Sequence, residues 1–280
     1  MVLQLKDLSP KFGKKLVIND INDLYQIDNR NFRSLFYQSQ IMLIQGICLT
    51  PEMIVKIGRK LGTPMSREEY QEGRDNYKAV TVDGKNEYIS IFSNRIGNLG
   101  TAPMCWHADN PDRGDLSFPI RGLYMVSCPM PDAGLTSFLN LELGWLCLTE
   151  SLKSKWHDIK IELQKDWYKS SAPVELHSSF VTHPITHKSF PRLNSVGKNH
   201  WIRDLIDSSN NRIGTQLVQD IIDQMTNVAN TVYTHKWNEG DFIIYDNHCF
   251  LHSRTDLKLK PAQERSMYRI NVNHDGTVPL

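Results

Sequence analysis

The 280-residue chain has no Cys-x-x-Cys pair, and its five cysteines (Cys48, Cys105, Cys128, Cys147 and Cys249) are scattered and odd in number. This argues against a zinc ribbon or a disulfide framework, and a reducing, cytoplasmic setting is expected. No run of about 18 apolar residues occurs, so no membrane-spanning helix is expected. Charge appears at Lys6 and Asp7 before any long apolar stretch, so no signal peptide is expected either. Charge of one sign is also lacking: 32 Lys and Arg stand against 31 Asp and Glu. That balance gives no support to a nucleic-acid or anionic-membrane partner. Internal repeats, low-complexity tracts and linkers are absent as well, and the lack of a Gly-rich phosphate loop counts against a parallel α/β sheet.

Short apolar stretches separated by turn signals make up most of what is present. Strands are expected at Lys15–Ile18, Ile41–Ile44, Tyr88–Phe92, Gly122–Ser127, Leu135–Asn140, Val232–Trp237, Phe242–Tyr245 and Met267–Val272. A polar helix is expected over Asn31–Ser39. A sharper one starts at the N-cap Thr50 with Pro51 in its first turn, buries Ile54, Ile57 and Leu61, and closes at Gly62. Residues 141–170 look helical, with Leu146, Leu152 and Trp156 inward. Ile213–Ala229 forms another amphipathic helix carrying Leu217, Ile221, Ile222 and Met225. These elements predict one domain over residues 1–280, mainly β with flanking helices. The architecture expected is a double-stranded β-helix (a jelly roll, cupin-like) with inserted helical and loop segments.

The triplet His107-Ala108-Asp109 carries the first chemical signal. In an extended strand, residues i and i+2 share a face, so one strand could present an imidazole and a carboxylate together. With a second histidine this is the ligand set suited to non-haem Fe(II), which leaves coordination positions open. Alone, the triplet equally describes a solvated loop. The best partner stands at the far end, where Gly240–His252 reads as a turn, an apolar strand and a polar exit ending in His252. Beyond it lie Arg265 and Arg269, four apart and therefore on one side of a strand. Their planar forks suit a carboxylate, although a surface ion pair explains two arginines as well.

Taken in order, His107-x-Asp109, Thr136 in Gly134-Leu135-Thr136, Asp246-Asn247 with His252, and then Arg265 and Arg269 resemble the taurine dioxygenase (TauD/TfdA) family. These are Fe(II)- and 2-oxoglutarate-dependent oxygenases. The resemblance runs from Leu43-Ile44-Gln45-Gly46 to the last strand and includes His183-Pro184. It implies that His107, Asp109 and His252 hold iron, and that Thr136 and Arg265 bind the distal carboxylate of 2-oxoglutarate. Arg269 would lie near the keto-acid end or the substrate. The implied reaction uses O2, releases succinate and CO2, and oxidises an unactivated C–H bond by hydroxylation or a desaturation-type outcome. Asp109 stands where related halogenases have Gly or Ala, which favours hydroxylation. The implied partner is a small molecule, amino-acid-like or an intermediate of secondary metabolism, with self-association a family habit.

The substrate end departs from the family pattern. Pro103 stands where the taurine enzyme has asparagine, and Pro64–Arg67 lacks an expected histidine, which points away from taurine. Trp167, Tyr168 and Phe190 are pocket candidates, as is the polar stretch from Ser66 to Arg74. Two other readings compete: a zinc hydrolase using His248 and His252, and a non-catalytic jelly roll that binds a ligand. The first requires a helix and a general-base glutamate, yet Cys249 follows His248. Of the remaining histidines, His183 is expected to be structural, and His157, His177, His187, His200, His235 and His274 sit in surface-like segments.

Overall fold

The structure is a computed structural model that describes residues 4–66, 68–69, 80–81, 86–96, 100–109, 111, 119–164, 173–196 and 201–274. Two antiparallel-rich sheets face each other. In the larger one, the strand Phe242–Asp246 runs between Ile41–Gln45 and Ile120–Ser127, and Ser266–His274 follows beyond. The smaller sheet orders its strands as Val232–His235, Thr136–Asn140, Phe250–Arg254 and Met104–His107. This is the expected jelly roll, braced by helices.

The side-chain period of two in a strand explains why the large sheet is covered on both faces. Along Phe242–Asp246 all five residues are buried. Ile243 and Tyr245 join Ile41, Leu43, Phe138 and Phe250 in the core between the sheets. Phe242 and Ile244 turn the other way, to Met42 and Ile44, to Phe36 of helix Asn29–Ser39 and to Ile54 and Ile57 of helix Pro51–Arg59. Helix Pro51–Arg59 begins as its sequence dictates: Thr50 accepts a hydrogen bond from Met53 N–H, and Pro51 occupies the first turn. Among the described residues no helix is long and apolar enough to cross a membrane.

Several expectations need correction. Gly62 does not cap the helix but opens a short strand, Gly62–Pro64, paired with Ser266–His274. Among the described residues, the helical reading of 141–170 covers Leu141–Leu146 and Glu150–His157; Lys160–Gln164 is a strand, because Ile161 and Leu163 alternate into the core, and residues 165–170 lie outside the described residues. Leu146, expected inside, is 66% exposed at the end of its short helix. The segment around His252, read as a polar exit, is the strand Phe250–Arg254, held between Thr136–Asn140 and Met104–His107. Tertiary pairing overrides its polar composition there.

Candidate metal centre

His107 is the last residue of the strand Met104–His107, and the antiparallel ladder pairs it directly with His252. Directly opposed residues bring their side chains together, and the two imidazole centroids lie 4.1 Å apart. Asp109 sits not in the strand but in the bend just beyond it, with Ala108 turned into the core. Its carboxylate still reaches the pair: Asp109 Oδ2 is 3.6 Å from His252 Nε2. One ligand atom from each of the three residues falls within 4.8 Å of the others. The bend is fixed by Asn247, whose Oδ1 accepts from Asp109 N–H at 3.1 Å while its Nδ2 donates to Asp109 C=O at 2.8 Å.

The surroundings prepare these donors for a cation. His107 Nδ1 lies 2.8 Å from the Cys105 carbonyl, so it carries the proton and leaves the Nε2 lone pair free to coordinate. Burial, with His107 close by, pulls the His252 imidazolium down to about 3, so the ring is neutral at ordinary pH. Phe138 and Tyr245 pack around that ring. Burial acts to raise the Asp109 carboxyl, but the Arg121 guanidinium, with Arg269 further off, outweighs it and holds it well below the usual carboxylate range. The Arg121 Nε lies 3.1 Å from Asp109 Oδ2, and its Nη1 donates to Asn271 Oδ1 at 2.7 Å. Two imidazoles and an ionised carboxylate on one side of a cavity fit Fe(II), with coordination positions left open.

Arginines crowd the same cavity: Arg121, Arg254, Arg265 and Arg269 line it beside Thr136, with Asp109 as the lining carboxylate. Arg265 is buried, donating Nη1 to Ala133 C=O at 3.0 Å and Nη2 to Gly134 C=O at 2.9 Å. This packing needs Gly134, which has φ +62°; a Cβ there would stand 2.3 Å from Arg265 Nη1. Arg254 donates Nη2 to the Gly100 and Ala102 carbonyls. Arg254 Nε and Nη1 and Arg265 Nε are buried with no hydrogen-bond partner among the described residues. Trp237 Nε1 donates to Thr136 Oγ1 at 2.8 Å, which leaves the Thr136 hydroxyl proton available as a donor. The guanidinium of Arg269 lies 5.2 Å from the centre of the Phe92 ring.

The structure thus brings together His107, Asp109, His252, Thr136, Arg265 and Arg269, all of which line one cavity. Trp167, Tyr168 and most of the Ser66–Arg74 stretch lie outside the described residues. Phe190 does not join the cavity: it is 1% exposed in the core, with its ring 6.3 Å from His183. His248 lies in the turn after Phe242–Asp246 and clusters with His183, Asp246 and His274 rather than with His252, so the helical metal pair of a zinc hydrolase is not formed. The His274 and His235 side chains, expected at the surface, are 4% and 5% exposed. Arg121 and Arg254 escaped sequence reasoning. Arg254 stands two residues after His252 and so shares its face, a signal that was available only once this segment is known to be a strand.

Comparison with known proteins agrees with this geometry. The family model "Taurine catabolism dioxygenase TauD, TfdA family" matches residues 4–271. The alpha-ketoglutarate-dependent 2,4-dichlorophenoxyacetate dioxygenase of Cupriavidus pinatubonensis is 22% identical, over 92% of this chain and 95% of that one. The (S)-phenoxypropionate/alpha-ketoglutarate dioxygenase of Sphingobium herbicidovorans is 23% identical over 64% of this chain and 63% of its own. Among solved structures, a taurine dioxygenase from Burkholderia xenovorans superposes with a TM-score of 0.71 at 19% identity, covering 98% of this chain and 90% of that one. The AAD-2 complex with Mn(II) and N-oxalylglycine gives 0.70 at 18% identity and 98% coverage of both chains. The chain belongs to the TauD/TfdA dioxygenase family.

Proposed function

We propose that this chain is an Fe(II)- and 2-oxoglutarate-dependent oxygenase that oxidises a C–H bond of a small molecule and releases succinate and CO2. The observation that carries this reading is the cross-strand pairing of His107 with His252, with the Asp109 carboxylate 3.6 Å from His252. These three residues would hold the iron. When bound, iron together with the keto acid and O2 supplies the oxidising power, coupling oxidative decarboxylation to attack on an unactivated C–H bond.

The residues of the chain bind and orient. The Thr136 hydroxyl and the unpaired N–H groups of Arg254 and Arg265 suit the distal carboxylate of 2-oxoglutarate; a buried guanidinium with open donors is costly until an anion meets it. Arg269, at the Asp109 side of the cavity, serves the keto-acid end or an acidic group of the substrate. Arg121 keeps Asp109 ionised, and Asn247 keeps its backbone in place. The relatives named for phenoxyalkanoate substrates add aryloxy acids to the amino-acid-like and natural-product classes worth screening.

Iron-loaded protein incubated with 2-oxoglutarate in air tests the proposal. Succinate should form, faster with the true substrate from a panel of amino acids, sulfonates, aryloxyalkanoates and natural-product intermediates. Wild-type protein that never consumes 2-oxoglutarate would overturn it.

A further inference from the structure

A second group of metal-type donors lies outside the iron-binding triad. Asp246 ends its strand, His248 sits in the following turn, and His274 closes Ser266–His274, which lies in the same sheet with Ile120–Ser127 between the two strands. His248 Nδ1 and His274 Nε2 are 3.3 Å apart, and Asp246 Oδ1 is 3.8 Å from the first and 3.7 Å from the second. We propose that Asp246 Oδ1, His248 Nδ1 and His274 Nε2 form a second metal site that takes a zinc ion.

The geometry carries the assignment. Given those three separations, the point equidistant from the three atoms lies about 2.1 Å from each, the bond length zinc makes to imidazole nitrogen and carboxylate oxygen. The neighbours supply the orienting contacts that metal ligands show. Tyr37 Oη lies 3.1 Å from His274 Nδ1 and can hold the proton there, leaving Nε2 for the ion. His183 is not a fourth ligand. Its Nδ1 accepts the backbone N–H groups of Ile185 and Thr186, so its Nε2 carries the proton and donates to Asp246 Oδ2 at 2.7 Å. His183 therefore turns the other carboxylate oxygen toward the site.

Two further observations fit. Asp246 and His248 are 1% and 5% exposed, and a buried carboxylate gains most from a cation at this position. A cavity of about 380 Å³ borders His248 and His274 among the described residues and gives a path of entry. Zinc is the ion named because imidazole and carboxylate donors bind it above iron in the divalent affinity order. The site also has a mechanical connection to the triad: Asn247, between Asp246 and His248, makes the two hydrogen bonds that hold the Asp109 backbone.

Metal analysis after Zn(II) loading and desalting tests this. Wild-type protein should retain two equivalents, one at the triad and one here, and the His107→Ala/His252→Ala protein should retain one. In that background His274→Gln or His248→Gln should lose the remaining equivalent, and the visible absorption of four-coordinate Co(II) should vanish with it. One equivalent in wild type and none in the doubly substituted protein would show a hydrogen-bonded histidine cluster without metal and overturn the proposal. Retention of zinc after both glutamine substitutions would do the same. The wild-type stoichiometry decides even where a variant fails to fold.

Discussion

Two clusters in this molecule gather imidazoles around one carboxylate, two at Asp109 and three at Asp246, and their neighbours differ completely. Around Asp109 the counter-charge is guanidinium: Arg121 touches it, and Arg254, Arg265 and Arg269 share its cavity. Around Asp246 the neighbours are imidazoles, with His183 on one oxygen and His248 and His274 on the other. The Asp109 side chain is 27% exposed and Asp246 is 1% exposed. The first cluster opens onto a cavity lined by guanidinium groups; the second borders a separate cavity and is tied together by hydrogen bonds. Donor type alone therefore does not assign chemistry, because the charges behind the donors decide which molecules can approach.

The sharpest way to break this contrast is to remove one imidazole from each cluster. His252→Ala should cost more than about 10³-fold in 2-oxoglutarate turnover, beyond the about 10–100-fold typical of losing a group that only supports a ligand. His274→Ala should act only through Asn247 and weaken Fe(II) binding by about 10-fold. Equal losses in steady-state assays would erase the distinction. Arg121→Met removes the guanidinium behind Asp109 and should weaken Fe(II) affinity about 10–100-fold, measured by anaerobic titration.

Gly134→Ala sharpens the anion-binding side. A methyl group there would meet Arg265 Nη1 at 2.3 Å in a backbone region with φ +62°, so the guanidinium must shift. The KM for 2-oxoglutarate should rise at least about 10-fold, since misplacement by about 1 Å costs up to ~100-fold. A smaller effect concerns pH. Burial favours neutral His252, moving it from 6.5 to about 3, so the folded apo-protein resists taking up a proton that the unfolded chain accepts. This stabilising contribution is complete above about 6.5 and is lost as pH falls toward 3. Urea midpoints of apo His252→Gln should therefore fall less steeply over that window than those of wild type. Smallest of all, Trp237→Phe removes the donor to Thr136 Oγ1 and should raise the 2-oxoglutarate KM by a few-fold, the worth of about 1 kcal/mol for one hydrogen bond.

Much of this arrangement is legible in the chain because it rests on local chemistry. Thr50-Pro51 announces a helix, the short apolar runs Ile41–Ile44 and Phe242–Tyr245 announce strands, and His107-x-Asp109 announces a ligand pair. The illegible parts depend on pairing across long sequence separations. Nothing within Phe250–Arg254 says that its polar residues form a central strand; Thr136–Asn140 and Met104–His107 impose that from either side. Arg121 stands just ahead of the expected strand Gly122–Ser127 and carries no signal until Asp109 and Asn271 are seen beside it. His274, at the end of its strand, becomes a candidate ligand only when the sheet places it beside His248.

Anaerobic addition of Fe(II) and 2-oxoglutarate to wild-type and Asp109→Ala protein, followed by visible absorption, measures the central claim most directly. A charge-transfer band that saturates at one iron per chain in wild type and is absent from the variant is the predicted result. No band in folded wild-type protein, or an undiminished band in Asp109→Ala, would contradict it.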